Sequence, residues 1–387
     1  MHRGIATFTL DEGRCPRWLF ERMVKLGRQM TEILIIDYGP DEFVKRLADP
    51  VWFQSLGTVL AFDWNASGLT TILTAALKEA LRGQEKELGV FICGGKGKTS
   101  RRTPEEIHHW GERLSLPPSA VQKLDYNSRL AAKVDSALVQ DGYQIYHHSF
   151  IFSQNGAWTV VQQGMNTASQ TARRYHWHSE KLADFVCEPH TAIASQLRHQ
   201  STLNLTAQQS EATRSTSVGL IDGGYPALMK DIEILRRHAT RLSQVIQAKA
   251  GQQTLTFLNL ENKEFKYHPV VAENFSQSRY LEKILARLTY EQPGNYEKVL
   301  ATDGVGPKTI RALALVAEVI YGAQPSYQDP ARYSFAHGGK DATPYPIDRQ
   351  TYDQTIAILS SAIEKTKINP SEKSKILKKL NPTELRH

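Results

Sequence analysis

Gly304-Val305-Gly306-Pro307-Lys308 has the residue types and the order of a turn that grips phosphate. Glycine has no Cβ, so Gly304 and Gly306 can take the tight, partly positive-φ backbone that brings amides close to an anion. A helix opening at Pro307 would aim its free N–H groups and positive end at that anion, with Lys308 adding a full charge. Ile310, Leu313, Ala314, Ala317, Ile320 and Tyr321 then recur at helical spacing up to a stop at Gly322. The pattern predicts a helix-hairpin-helix, a clamp on the DNA backbone. An ordinary helix joint with a glycine hinge is the other reading.

Two further stretches carry cations. Gly94-Gly95-Lys96-Gly97-Lys98-Thr99-Ser100-Arg101-Arg102 interleaves glycines with charge, so Lys96, Lys98, Arg101 and Arg102 can meet phosphate together with backbone amides. It is not a nucleotide-binding P-loop, because the position of that motif's first glycine holds Ile92. Arg173-Arg174-Tyr175-His176-Trp177-His178 alternates cations with aromatics. Arg173 and Arg174 are expected on phosphates, and Tyr175 and Trp177 as stacking surfaces for unpaired bases.

Acids and histidines crowd the stretch between the cationic runs. Asp135, Asp141 and His147 or His148 are candidates for general-base or metal work, with Asp135, Asp141 and His148 as the metal set and Mg²⁺ or Mn²⁺ as the ion. No H-x-x-x-H or C-x-x-C spacing supports a metal, and hydrogen-bonded core or surface histidines are the alternative. A strand over Tyr143–Phe152 puts His147 on the face of Tyr143, Ile145 and Ile151, and His148 with Tyr146, Phe150 and Phe152. The two histidines therefore serve different faces, as do Gln162 and Gln163. Asp63, Asn65 and Ser67 gather small polar groups after an apolar run, where they fit either chemistry or a helix cap.

The elements that position these residues follow from periodicity and punctuation. Helices are expected over Pro16–Met30, Glu42–Leu47 with Asp41 as cap, Leu69–Leu81 and Ser128–Gln140. Strands are expected over Leu34–Tyr38, Gly89–Cys93, Tyr143–Phe152 and Trp158–Gln163, the last two joined at Asn155-Gly156. Residues 199–226 are rich in Ser, Thr, Gln and Gly, and Gly223-Gly224 with Pro226 marks a domain boundary. Helices dominate beyond it. The fold expected is an α+β or α/β domain over 1–225, the catalytic one, then a mostly α-helical domain over 226–387 with the hairpin.

With 387 residues the chain has room for two or three domains of about 150 residues each. Lys plus Arg number 47 against 40 Asp plus Glu, giving +7 and a pI near 9.1, which suits a polyanionic partner if the excess is concentrated. Cys15, Cys93 and Cys187 are scattered, against a disulfide framework or zinc knuckle and for a reducing compartment. No apolar run reaches membrane-spanning length and no signal-peptide core opens the chain, so a cytoplasmic protein without membrane contact is expected.

Four sets of segments together resemble a prokaryotic family known only as domain of unknown function 763. They are FDWNASG with GGKGKTSR, then AAKVDSALVQDGYQIYHH, then VVQQGMN with ARRYHW, then GVGPKTIRALALVAEVIYG with FAHGGKDATPYPIDR. This resemblance covers nearly the whole chain and implies no activity. The C-terminal part also resembles the helix-hairpin-helix DNA glycosylase superfamily, in which the hairpin lysine is a Schiff-base nucleophile and a following P-V-D aspartate assists base removal. That resemblance places Lys308 at the lysine and Asp348, in Pro346-Ile347-Asp348, at the aspartate. The spacing departs from the superfamily, with His337-Gly338-Gly339-Lys340-Asp341 inserted between the two.

The function expected is a DNA-binding enzyme of repair or recombination, an endonuclease acting on single-stranded, branched or damaged DNA, with no nucleotide cofactor. A helix-hairpin-helix glycosylase/AP lyase and a non-catalytic DNA-binding adaptor are the alternatives. The familiar acid-then-E/Q-x-K nuclease motif is absent.

Overall fold

The computed structural model describes residues 8–10, 15–60, 66–238, 278–331 and 349–380. Asp63, Asn65 and Asp348 lie outside them. Four helices come first, α1 (Arg17–Tyr38), α2 (Pro40–Leu47), α3 (Pro50–Val59) and α4 (Ala66–Leu81); the short α5 (Glu85–Leu88) leads into strand β1 (Val90–Lys96). α1 absorbs Leu34–Tyr38, the segment expected as a strand. Met23, Gly27, Met30, Thr31, Leu34 and Ile35 form one buried helical stripe, and packing along it outweighs the β-preference of the isoleucines. Gly39, at φ +86°, stops the helix and Pro40 opens the next. Asp41 sits in the first turn of α2 and does not cap it. The side-chain cap comes one helix later, where Asp49 accepts from Val51 N at 2.8 Å and Trp52 N at 2.9 Å.

A 3-10 turn (Gly97–Arg102) passes to α6 (Thr103–Arg113) and α7 (Pro118–Ala137). The strands β2 (Val139–Gln140), β3 (Gln144–Ser153), β4 (Trp158–Asn166), β5 (Thr171–His178), β6 (Ala192–Ser195) and β7 (Leu203–Asn204) follow. The remaining described elements are helices: α8 (Glu211–Asp222), α9 (Tyr225–His238), α10 (Arg279–Glu291), α11 (Tyr296–Ala301), α12 (Pro307–Val319), α13 (Arg349–Lys365) and α14 (Pro370–Leu380). The five-stranded sheet has the order β1-β3-β4-β5-β6, antiparallel throughout, while β2 pairs with β7. Antiparallel hairpins place the chain with α+β architectures rather than α/β ones.

Both faces of the sheet are covered by helices. Phe91, Cys93, Phe150, Phe152, Val160 and Trp177 pack with Leu130 and Val134 of α7, in an apolar cluster that reaches Leu285 and Leu313. On the other face Val90, Ile92, Ile151 and Val161 join Met30, Phe53 and Leu73, together with Leu359 and Ile363 of α13. The first cluster crosses Gly223-Gly224 without a break, and α13 returns to the N-terminal helices. The two stretches divided at residue 225 in the sequence share their cores.

Candidate functional site

Thr302 to Gly306 form the turn between α11 and α12. Gly304 has φ +86°, and a Cβ there would meet Ile284 Cδ1 at 2.4 Å, so the position excludes side chains twice over. Tyr280 Oη donates to Gly304 O at 3.1 Å, and Arg287 Nη1 to Asp303 O at 3.0 Å. Val305 is buried and pins the turn to the core. Lys133 of α7 supports it from behind. Its Nζ donates to the carbonyls of Leu300 (3.0 Å), Ala301 (3.2 Å) and Thr302 (2.8 Å), which end α11 without helical partners. Burial lowers the Lys133 pKa. Gly306 caps α12 with no side chain, so the first amides of the helix have no side-chain acceptor, and Lys308 stands exposed beside them. Lys308 is exposed, while a Schiff-base lysine draws on burial or a neighbouring cation to become neutral; Lys340, the cation the inserted segment would bring, lies outside the described residues.

The glycine-lysine loop is built as rigidly. Gly94, at φ +86°, leaves no room for a Cβ, which would lie 2.2 Å from His148 O and 2.4 Å from Thr103 Oγ1. Its N–H donates to Glu106 Oε2 at 2.7 Å and its carbonyl accepts from Lys78 Nζ at 2.9 Å; the same Lys78 and Glu106 pair at 2.7 Å. Beyond this clasp Lys96, Lys98, Arg101 and Arg102 are all exposed. Lys96 lies 5.9 Å above the Tyr146 ring and Arg102 pairs with Glu105 at 3.3 Å. Among the described residues none forms an ion pair with Lys98 or Arg101.

The Arg/aromatic run has a different fate from the one expected. Arg173, Arg174, Tyr175 and Trp177 are fully buried in β5, so none offers charge or a stacking surface to solvent. Arg173 donates to Asp141 Oδ2 at 2.8 Å and to both oxygens of Asp329, at 2.9 and 2.8 Å. Burial works against its charge, but Asp141 and Asp329 raise its pKa overall. Tyr175 Oη donates to Asp141 Oδ2 at 2.6 Å. On the opposite face Arg174 donates to His176 Nε2 at 2.9 Å and Thr70 Oγ1 at 3.1 Å and lies 4.6 Å over Phe53; burial lowers its pKa to about 9. Cations next to aromatics read alike in sequence whether they face water or an interior carboxylate.

The acid/histidine candidates divide between the sheet faces, as the two-residue period requires. On the α7 face, Ser128 Oγ lies 2.8 Å from His148 Nε2, and His148 Nδ1 lies 2.9 Å from Gln162 Oε1. Gln162 Nε2 donates to Asp135 Oδ2 at 2.5 Å, Trp177 Nε1 donates to the same oxygen at 3.0 Å, and His190 Nε2 meets Asp135 Oδ1 at 2.5 Å. Burial pushes Asp135 up, and its three donors oppose that shift. Burial holds His148 down at about 4, so it is neutral in this chain of bonds. The seam ends at His190, which lines a cleft of mixed polar and apolar character with Glu188, Ala192, Ile193, Asn204 and Pro330. His190 follows Pro189 in the sequence, with nothing nearby to mark it as Asp135's partner.

On the α4 face, His147 Nε2 lies 3.2 Å from Thr74 Oγ1 and 3.1 Å from Ser149 Oγ, and burial, with His148 and Lys96, lowers its pKa to about 3. Among the described residues its Nδ1 and Gln163 Oε1 are buried without partners. Gln163 Nε2 donates to Ser67 O at 2.9 Å and to Tyr146 Oη. Tyr146 was expected beside His148. A bulge between Ile145 and His147 shifts the register and turns it to this face.

The proposed metal set does not assemble as placed. Asp141 is engaged by Arg173, Tyr175 and Tyr143 N, Asp135 by His190, Trp177 and Gln162, and His148 by Ser128 and Gln162. Among the described residues no three of His, Cys, Asp and Glu converge as a metal centre requires. No described helix is long and apolar enough to cross a membrane.

Residues 4–347, which carry both turns and both polar seams, match the family described as protein of unknown function (DUF763). The chain belongs to that family. No curated protein and no solved structure matches it. Membership in DUF763 assigns no chemistry.

Proposed function

We propose that this DUF763 protein binds DNA by its phosphate backbone, on two exposed glycine-and-cation turns, and acts in repair or recombination as an endonuclease. The observation that carries the reading is the turn at Gly304–Lys308: a left-handed glycine, a helix start with no side-chain cap and an exposed lysine at one place. Those three features together support a helix-hairpin-helix grip on phosphate. The loop bearing Lys98 and Arg101 supplies a second grip and can neutralise charge building on a scissile phosphate. Lys308 serves here as a phosphate anchor rather than the lyase nucleophile of the glycosylase superfamily. Mg²⁺ or Mn²⁺ is the ion this hydrolysis would use.

The adaptor reading is favoured by one observation, the full engagement of Asp135 and Asp141 in the interior. Labelled single-stranded, forked and duplex DNA, incubated with Mg²⁺, Mn²⁺ or EDTA, separates the two. Cleavage under any condition supports the endonuclease. Binding without cleavage leaves the adaptor, and DNA neither bound nor cut removes both.

A further inference from the structure

The carbonyls of Leu300, Ala301, Thr302, Asp303 and Gly304 run consecutively into the turn, and side chains of other helices donate to every one. Lys133 Nζ, from α7, takes Leu300 O, Ala301 O and Thr302 O. From α10, Arg287 Nη1 takes Asp303 O and Tyr280 Oη takes Gly304 O. In a trans peptide the C=O and the following N–H point opposite ways, so each held carbonyl also fixes the direction of the next amide.

Lys133 has the largest share. Thr302 O, 2.8 Å from its ammonium, also accepts from Val305 N at 3.2 Å, the hydrogen bond that closes the turn ahead of Gly306. An ammonium has three N–H donors and here they meet three carbonyls, so its hydrogen bonds are spent inside the protein. Its charge also offsets the negative carbonyl end of α11, which a phosphate at the neighbouring turn would otherwise meet. The start of α12 is held from the same side. Gln140, just past the end of α7, donates from Nε2 to Pro307 O at 3.1 Å and accepts from Arg311 Nη1 at 3.4 Å. The same Nε2 donates to Ala137 O at 3.0 Å, which ties this clasp back to α7.

We infer that Lys133 is a positioning residue of the phosphate grip: it makes no contact with DNA itself and orders the Thr302–Lys308 backbone into its binding geometry before DNA arrives. Gln140 secures the other flank of the turn. The inference rests on the DNA-binding reading and deepens it. Its size follows from populations: a turn that holds the competent shape about a tenth of the time binds about tenfold more weakly, with every phosphate contact still made once bound.

Lys133→Met and Lys133→Arg, measured beside Lys308→Ala in the full chain, separate positioning from contact. Anisotropy on one labelled oligonucleotide across salt concentrations gives affinity and slope, and amide hydrogen exchange of the free chain reads the turn. Lys133→Met should weaken binding about tenfold at unchanged slope, whereas Lys308→Ala lowers the slope by about 1. The Val305 amide should exchange faster in Lys133→Met while the chain stays folded at the assay temperature. Lys133→Arg keeps the charge and the donors and should recover most of the affinity. A reduced slope in Lys133→Met would make Lys133 a phosphate contact and overturn the inference. A folded Lys133→Met that binds as the natural chain does overturns it too, leaving Lys133 a role in stability alone. If Lys133→Met does not fold, Gln140→Met decides from the other flank: weaker binding at constant slope supports positioning, and natural affinity contradicts it. A natural chain that binds no oligonucleotide at any salt sinks the DNA reading, and the inference with it; natural binding that neither variant alters sinks the inference alone.

Discussion

Arg173 sets the terms at the scale of single residues. Its guanidinium lies in the interior between Asp141 and Asp329, and truncating it would leave two carboxylates buried without their cation. Arg173→Met should therefore cost about 3–5 kcal/mol of folding stability by urea denaturation, far more than a surface arginine. A loss below about 1 kcal/mol would mean that the pair contributes little. His148 makes a pH-dependent case. Burial depresses its pKa from 6.5 to about 4, so folded and unfolded chains are both neutral there above pH 6.5. As pH falls towards 4, the unfolded chain takes up a proton that the folded chain refuses, and stability drops by about 1.4 kcal/mol per pH unit from this group. His148→Gln removes that dependence. The variant should be less stable at pH 7, with the gap to the natural chain narrowing as pH falls to 5. Parallel stability curves would show that His148 titrates normally.

At the scale of elements, the turn between α11 and α12 is held by Gly304 and not by Gly306. Gly304 is left-handed and crowded by Ile284, whereas Gly306 sits at φ −149° with nothing within 4 Å of an added Cβ. Gly304→Ala should lower Tm, at a cost of about 1–3 kcal/mol, and weaken DNA binding with it; Gly306→Ala should leave Tm unchanged within about 0.5 kcal/mol. Equal effects from both would contradict the geometry. This turn was legible in the sequence because glycine, proline and lysine there each have one physical reason to occur. The separation of His147 from His148 was legible for the same kind of reason, a period of two. The helix through Leu34–Tyr38 was not, because β-branched residues say nothing of the stripe that Met23 and Met30 begin. The bulge that moves Tyr146 has no local marker. Burial of Arg173-Arg174-Tyr175 was the largest misreading, since one acid that decides it, Asp329, stands 156 residues away in the chain.

For the whole molecule, the excess of cations matters only where it is exposed. The interior holds Arg173, Arg174 and Arg214, all buried, so the net charge of +7 overstates what a polyanion would meet. Lys96, Lys98, Arg101, Arg102 and Lys308 are on the surface, on turns anchored to one shared core. Asp135, by contrast, is held in the interior, bonded to His190, Trp177 and Gln162. Backbone binding through the turns has a signature in salt. Each phosphate contact releases counterions, so affinity falls with ionic strength in proportion to the contacts made. The most direct measurement is the affinity for a labelled oligonucleotide, by fluorescence anisotropy, across a range of salt concentrations. Lys98→Ala and Lys308→Ala should each weaken binding alike on unrelated sequences and reduce the slope of log affinity against log salt by about 1. Affinity and slope unchanged in both variants would contradict phosphate binding on these turns.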